Sequence, residues 1–155
     1  MSSPEPGTKA PDFDLPTDGG RVSLSALKGK AVVLYFYPKD DTTGCTAEAQ
    51  AFTAAADDFA EAGAVVVGVS KDSVKRHANF RNKYDLKVEL GSDEAGEVIE
   101  CYGVWVEKSM YGRKYMGIER ATFLIDKAGR IAQVWHKVKV PGHAAEVLKA
   151  TQAIA

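Results

Sequence analysis

Cysteine is scarce in this chain. Only Cys45 and Cys101 occur in 155 residues, 56 positions apart. Two thiols are too few for a disulfide framework, and no Cys/His cluster has zinc-ligand spacing. Charge of one sign is scarce as well. Lys plus Arg number 20 against 21 Asp plus Glu, a net charge of −1, so nothing electrostatic favours nucleic acid or an anionic membrane surface. Long apolar runs are missing too, which excludes a membrane-spanning helix, and the start Met1-Ser2-Ser3-Pro4-Glu5 lacks a signal peptide's basic and apolar regions. These absences predict a cytoplasmic protein in a reducing compartment, where a cysteine is chemical or incidental rather than structural. His77, His136 and His143 lie scattered without metal-ligand spacing and suit structural or surface roles.

What remains is a composition of 45% hydrophobic and 26% charged residues, enough to bury one core. The expectation is a single domain over residues 1–155, with residues 1–9 a loose polar segment. Phe13-Asp14-Leu15 and Val22-Ser23-Leu24 flank a turn at Asp18-Gly19-Gly20, the pattern of a small hairpin. Ala31 to Tyr37 and Ala64 to Val69 are unbroken apolar runs, as in parallel strands covered on both faces. Between them Ala49, Phe52, Ala56 and Phe59 recur at helical spacing, with Gly63 as a stop. A helix from Asp72 or Ser73 to Tyr84, a short strand near Val88 to Leu90 and a short helix from Glu94 to Tyr102 follow. Gly103 to Glu119 reads as a long apolar-rich connection carrying Met110, Tyr111, Tyr115 and Met116. Ala121 to Ile125 and Ile131 to His136 flank a turn, and Ala144, Val147, Leu148, Thr151 and Ile154 share a face of a final helix. The order predicts an α/β thioredoxin-like fold with a central mixed sheet flanked by helices.

The chemistry concentrates in Tyr37-Pro38-Lys39-Asp40-Asp41-Thr42-Thr43-Gly44-Cys45-Thr46. With Thr42 as N-cap, Thr43, Gly44 and Cys45 take the first three helical positions, whose N–H groups have no partner inside the helix. A helix start favours anions, and the thiolate is the reactive form of cysteine, so Cys45 is placed as a nucleophile. The position equally suits a buried cysteine packed as a small hydrophobe. Lys39, Asp40 and Asp41 read as solvated loop charges, and Lys71 to Lys83 as a solvated helix face.

Pro38, Thr42 and Cys45, with three residues and then two between them, resemble the peroxiredoxin active-site signature. The wider string from Tyr35 to Thr42 followed by Gly44-Cys45-Thr46 is similar to the peroxiredoxin Q branch, also called bacterioferritin comigratory proteins. Ala10-Pro11-Asp12-Phe13, Gly103-Val104-Trp105, Glu107-Lys108-Ser109, Arg120, Phe123-Leu124-Ile125-Asp126, Val138-Lys139-Val140 and Gly142-His143-Ala144 extend the likeness from Ala10 to Leu148. The resemblance implies a thiol-dependent peroxidase for hydrogen peroxide and organic hydroperoxides, with no metal, haem or flavin. It makes Cys45 the peroxidatic cysteine, which becomes a sulfenic acid. Thr42 would orient the peroxide, Arg120 would sit beside the sulfur and stabilise the leaving oxygen, and Pro38 would shield the thiolate. A thiol such as thioredoxin, glutaredoxin or glutathione would recycle it, and the chain would be a monomer or weak dimer.

The chain departs from the family in two places. Many members carry a resolving cysteine five residues after the first, where Gln50 stands here, and their usual proline after the Thr is Thr43. Cys101 falls at the edge of a buried stripe formed by Ala95, Val98, Ile99 and Tyr102, a placement that predicts partial exposure. Its alternatives are a boundary residue without redox role or the resolving cysteine, within or between chains. The competing function is a redox sensor or holdase with Cys45 as the sensor. A thioredoxin-type disulfide oxidoreductase is disfavoured because position 42 is Thr, leaving no Cys-x-x-Cys pair.

Overall fold

The structure is a computed structural model and describes residues 2–155. Its centre is a five-stranded mixed sheet in the order β5-β4-β3-β8-β9. Strands β3 (Ala31–Phe36), β4 (Ala64–Ser70) and β5 (Glu89–Ser92) run parallel; β8 (Ala121–Ile125) and β9 (Ile131–Trp135) complete the sheet in antiparallel pairing. All six residues of β3 and all five of β8 are buried, as apolar runs in doubly covered strands should be.

Alternation along β3 divides the core. Val32, Leu34 and Phe36 join one cluster with Val98, Ile99, Tyr102 and the hairpin of β1 (Asp14–Thr17) and β2 (Gly20–Ser23). Ala31, Val33, Tyr35 and Tyr37 point to the other face. There they meet Cys45, Ala49 and Phe52 of α1 (Thr43–Ala54), Phe59 of α2 (Ala56–Glu61), Phe80 of α3 (Val74–Tyr84) and Val147 of α5 (His143–Ala153). Each of the larger apolar side chains among them, such as Val33, Phe52, Phe59, Phe80 and Val147, contributes roughly 1.5–3 kcal/mol. Gly68 of β4 is required by this packing: a Cβ there would stand 2.7 Å from the Tyr35 ring.

Several expectations need correction. The helix through Phe59 is two helices, α1 and α2, parted at Ala55. Gly103 to Glu119 is largely a second hairpin, β6 (Trp105–Met110) with β7 (Arg113–Ile118), turning at Tyr111-Gly112. The short helix α4 spans Glu97–Cys101, begins after Gly96 and leaves Ala95 exposed. The last hairpin, β8 with β9, carries a register shift between Leu124 and Ile125. Looseness of the N-terminal segment does not extend to residues 7–10, because Gly7 and Ala10 donate to Ile131 and Gly129 while Ile131 donates to Thr8. Among the described residues no helix is long and apolar enough to cross a membrane.

Candidate active site

Cys45 sits in the first turn of α1, directly beyond the loop that leaves β3. Thr42 has extended backbone (φ −94, ψ 158) and its carbonyl accepts the first helical bond from the Thr46 amide at 2.8 Å. The amides of Thr43, Gly44 and Cys45 therefore have no acceptor within the helix, and the positive end of the helix dipole lies at the sulfur. The Thr42 side chain does not cap the helix: its hydroxyl donates to the Lys39 carbonyl at 2.9 Å, which leaves the oxygen's lone pairs free to accept. Pro38 is exposed, and Cys45 is only 1% exposed.

Arg120, the residue before β8, reaches this turn from the sheet. Its Nη2 lies 3.4 Å from Cys45 Sγ and its Nη1 donates to Glu48 Oε1 at 2.7 Å. The guanidinium sets a fixed positive charge against the sulfur. Gly44 makes room for it, since a Cβ at that position would stand 3.1 Å from Arg120 Nη2. Burial alone would lower the Arg120 pKa; Glu48 and Cys45 outweigh it, and the group is held above its ordinary value as a permanent cation.

Glu48 escaped the sequence reading. It is 1% exposed one turn beyond Cys45, and burial pushes its carboxyl up to about 7 against the downward pull of Arg120. Its Oε2 and the Tyr35 hydroxyl are buried without hydrogen-bond partners. Lys108 of β6 is a further cation near the site. Burial, then Arg120, lower its pKa, while Cys45 and Glu119 oppose them.

Asp40 is not a solvated loop charge. It is 3% exposed, and its carboxylate contacts the Tyr37 hydroxyl and His77 Nδ1, each at 2.6 Å. Asp41 does face solvent, with φ 60, and accepts from Lys83 and Tyr84 of α3. Cys101 is exposed at the end of α4, more open than its place beside the stripe implied. The residues of α4 pack on one face of the sheet and Cys45 on the other. The structure thus brings Cys45 and Arg120 together, sets Thr42 at the N-cap three residues before Cys45, leaves Pro38 exposed in the preceding loop, and keeps Cys101 apart.

A thioredoxin-like sheet with a cationic side chain against a cysteine at a helix start defines a thiol-based redox enzyme. Comparison with known proteins specifies it. The AhpC/TSA family model matches residues 6–134. A Coxiella burnetii relative is 58% identical over 145 residues, 93% of this chain and 96% of that one. Peroxiredoxin Bcp of Bacillus subtilis is 51% identical over 146 residues, 94% of this chain and 93% of its own. Among solved structures, peroxiredoxin Q of Xanthomonas campestris superposes with a TM-score of 0.89 at 44% identity, covering 96% of this chain and 97% of that one. Another structure of the Xanthomonas bacterioferritin comigratory protein, from work on its alkyl peroxide reduction activity, gives 0.89 at 43% identity, covering 96% and 98%. This chain belongs to the AhpC/TSA family, in its peroxiredoxin Q/Bcp branch. As a peroxiredoxin it is a thiol-dependent peroxidase, with a peroxide as substrate and a thiol as reductant.

Proposed function

We propose that Cys45 is the peroxidatic nucleophile and that Thr42, Arg120 and Pro38 shape its approach. The contact between Arg120 Nη2 and Cys45 Sγ at 3.4 Å carries this reading. The thiolate attacks the terminal oxygen of a hydroperoxide, the O–O bond breaks, and its electron pair leaves on the second oxygen. Cys45 becomes a sulfenic acid and the departing alkoxide or hydroxide takes a proton from solvent, giving an alcohol or water. Arg120 and the free amides of the first turn stabilise the negative charge in flight. Thr42 accepts the peroxide's O–H while its own proton stays on the Lys39 carbonyl, and Pro38 screens the rim from water.

We further infer that an outside thiol resolves the sulfenic acid. One thiol attacks its sulfur and expels water; a second thiol releases Cys45 and leaves as a disulfide. Thioredoxin, glutaredoxin or glutathione fits this role. The separation of Cys45 and α4 by the sheet favours it over an internal disulfide with Cys101. Organic hydroperoxides belong to the substrate range, as the alkyl peroxide activity of the Xanthomonas neighbour suggests. A cytoplasmic monomer or weak dimer is the corresponding cellular form.

The test is one equivalent of hydrogen peroxide on the reduced protein, read by intact mass and sulfenic-acid trapping, with Cys45→Ser and Cys101→Ser in parallel. One added oxygen that needs Cys45 and not Cys101 is expected. Loss of two hydrogens that needs both cysteines would assign resolution to Cys101, and no reaction at Cys45 would overturn the proposal.

A further inference from the structure

The loop that delivers Cys45 is tied to α3 by a buried polar pair that the reaction does not use. Asp40 Oδ2 lies 2.6 Å from His77 Nδ1, and Oδ1 accepts from the Tyr37 hydroxyl. The Asp40 amide donates to Asp72 Oδ2 at 2.8 Å, and that oxygen also takes the Ser70 hydroxyl. His77 is fully buried, and its Nε2 lies 3.2 Å from the Gly91 carbonyl.

A carbonyl can only accept, so Nε2 carries a proton. The other nitrogen faces a carboxylate oxygen, so a second proton lies between Nδ1 and Oδ2. Whichever atom holds it, the pair is neutral as a unit and fully satisfied. Asp40, Asp72 and His77 also stand close enough to suggest a cation site. Both His77 nitrogens are already committed, however, which leaves the ring no lone pair for a metal.

Such a pair resists partial opening. Once Asp40 leaves, His77 keeps a buried nitrogen without its partner, and truncating one side of a buried hydrogen-bonded pair is strongly unfavourable. Asp40 lies two residues before the N-cap of α1, so loop and first helical turn move with it. Cys45, 1% exposed, cannot meet a second thiol until that turn opens.

We propose that Asp40 and His77 are positioning residues that hold the Pro38–Thr42 loop on α3 and thereby set the balance between two states. The closed state attacks peroxide; the opened state exchanges with the reductant. This rests on Cys45 as the peroxidatic cysteine.

Asp40→Ala deletes the carboxylate and leaves His77 Nδ1 without its partner; Val98→Ala, on the opposite face of the sheet, is the control for general destabilisation. Single-turnover oxidation of Cys45 by hydrogen peroxide and reaction of the sulfenic form with glutathione are timed separately. Asp40→Ala should slow oxidation about tenfold or more and speed the glutathione step several-fold. Val98→Ala should leave the two within about twofold of wild type. Opposite changes at the two steps are not what mere destabilisation produces. Both rates unchanged, or both falling together, would overturn the proposal, whereas a wild type that is not oxidised at Cys45 would instead sink the peroxidase assignment. Should Asp40→Ala not fold, NMR hydrogen exchange on the reduced wild type decides. The His77 ring protons should exchange at the rate of the Asp40 and Cys45 amides. Ring protons that outlast an opened loop would overturn the proposal.

Discussion

Glu48 and Arg120 meet at 2.7 Å one helical turn beyond Cys45, and the guanidinium's other terminal nitrogen touches the sulfur. Glu48 thus fixes the plane of the fork, and the fork serves two partners at once. A lysine is a point charge without that geometry. Arg120→Lys should lower kcat/KM for hydrogen peroxide about 100-fold, in line with the loss of one charge-stabilising donor in other enzymes. Steady-state kinetics with an excess of thiol reductant checks it. A variant within threefold of wild type would remove Arg120 from the chemistry.

The raised Glu48 carboxyl has a consequence for stability. Its value in the folded protein, about 7, lies above the ordinary 4.5 because burial favours the neutral acid. The folded state therefore holds its proton through a range where the unfolded chain has already lost one. The resulting stabilisation is present below pH 4.5, declines as pH rises through the interval from 4.5 to 7, and is gone above it. Glu48→Gln retains an oxygen for Arg120 but does not titrate. Thermal unfolding from pH 4 to 8 should show Glu48→Gln gaining on wild type across that window and running parallel above it. A constant difference would mean that Glu48 does not titrate there.

Thr42 separates helix capping from chemistry. Its hydroxyl bonds the Lys39 carbonyl rather than an α1 amide. Removing a true capping hydroxyl costs about 1 kcal/mol of stability. Thr42→Val should accordingly leave the melting temperature close to wild type while lowering kcat/KM at least about tenfold, and Thr42→Ser should restore activity. Equal losses in stability and activity would return Thr42 to a structural role.

These features were unequally legible in the sequence. β3 and β4 were plain because doubly buried strands are continuous apolar runs. α3 was legible to within a residue, its start left between Asp72 and Ser73 until the Ser73 hydroxyl is seen to accept from the Arg76 amide. The β6–β7 hairpin was hidden because Met110, Tyr111, Tyr115 and Met116 are exposed, so no core-facing alternation marks its arms. The break at Ala55 lies within Ala54-Ala55-Ala56, good helix formers, and only packing of α2 against β4 and α5 reveals it. Cys45 could be placed by its helix start. Glu48 and Asp40 could not, because an acid inside a helix or polar loop looks solvated until its distant partner, Arg120 or His77, is in place.

Gln50 tests how far the first turn of α1 opens. It is exposed, five residues beyond Cys45 on the same helix. Five residues advance an α-helix by about 7.5 Å, so their Cα atoms stand too far apart for a disulfide while the helix is intact. Gln50→Cys in a Cys101→Ser background therefore forms a bond with Cys45 only if the turn unwinds after oxidation. One equivalent of hydrogen peroxide should then remove two hydrogens from the protein instead of adding one oxygen. Excess peroxide should drive less of it to the sulfinic acid than the parent, because the disulfide withdraws Cys45 from a second attack. A persistent sulfenic acid in this variant would show that the turn stays wound, and the thiol reductant would then have to reach Cys45 through the closed site.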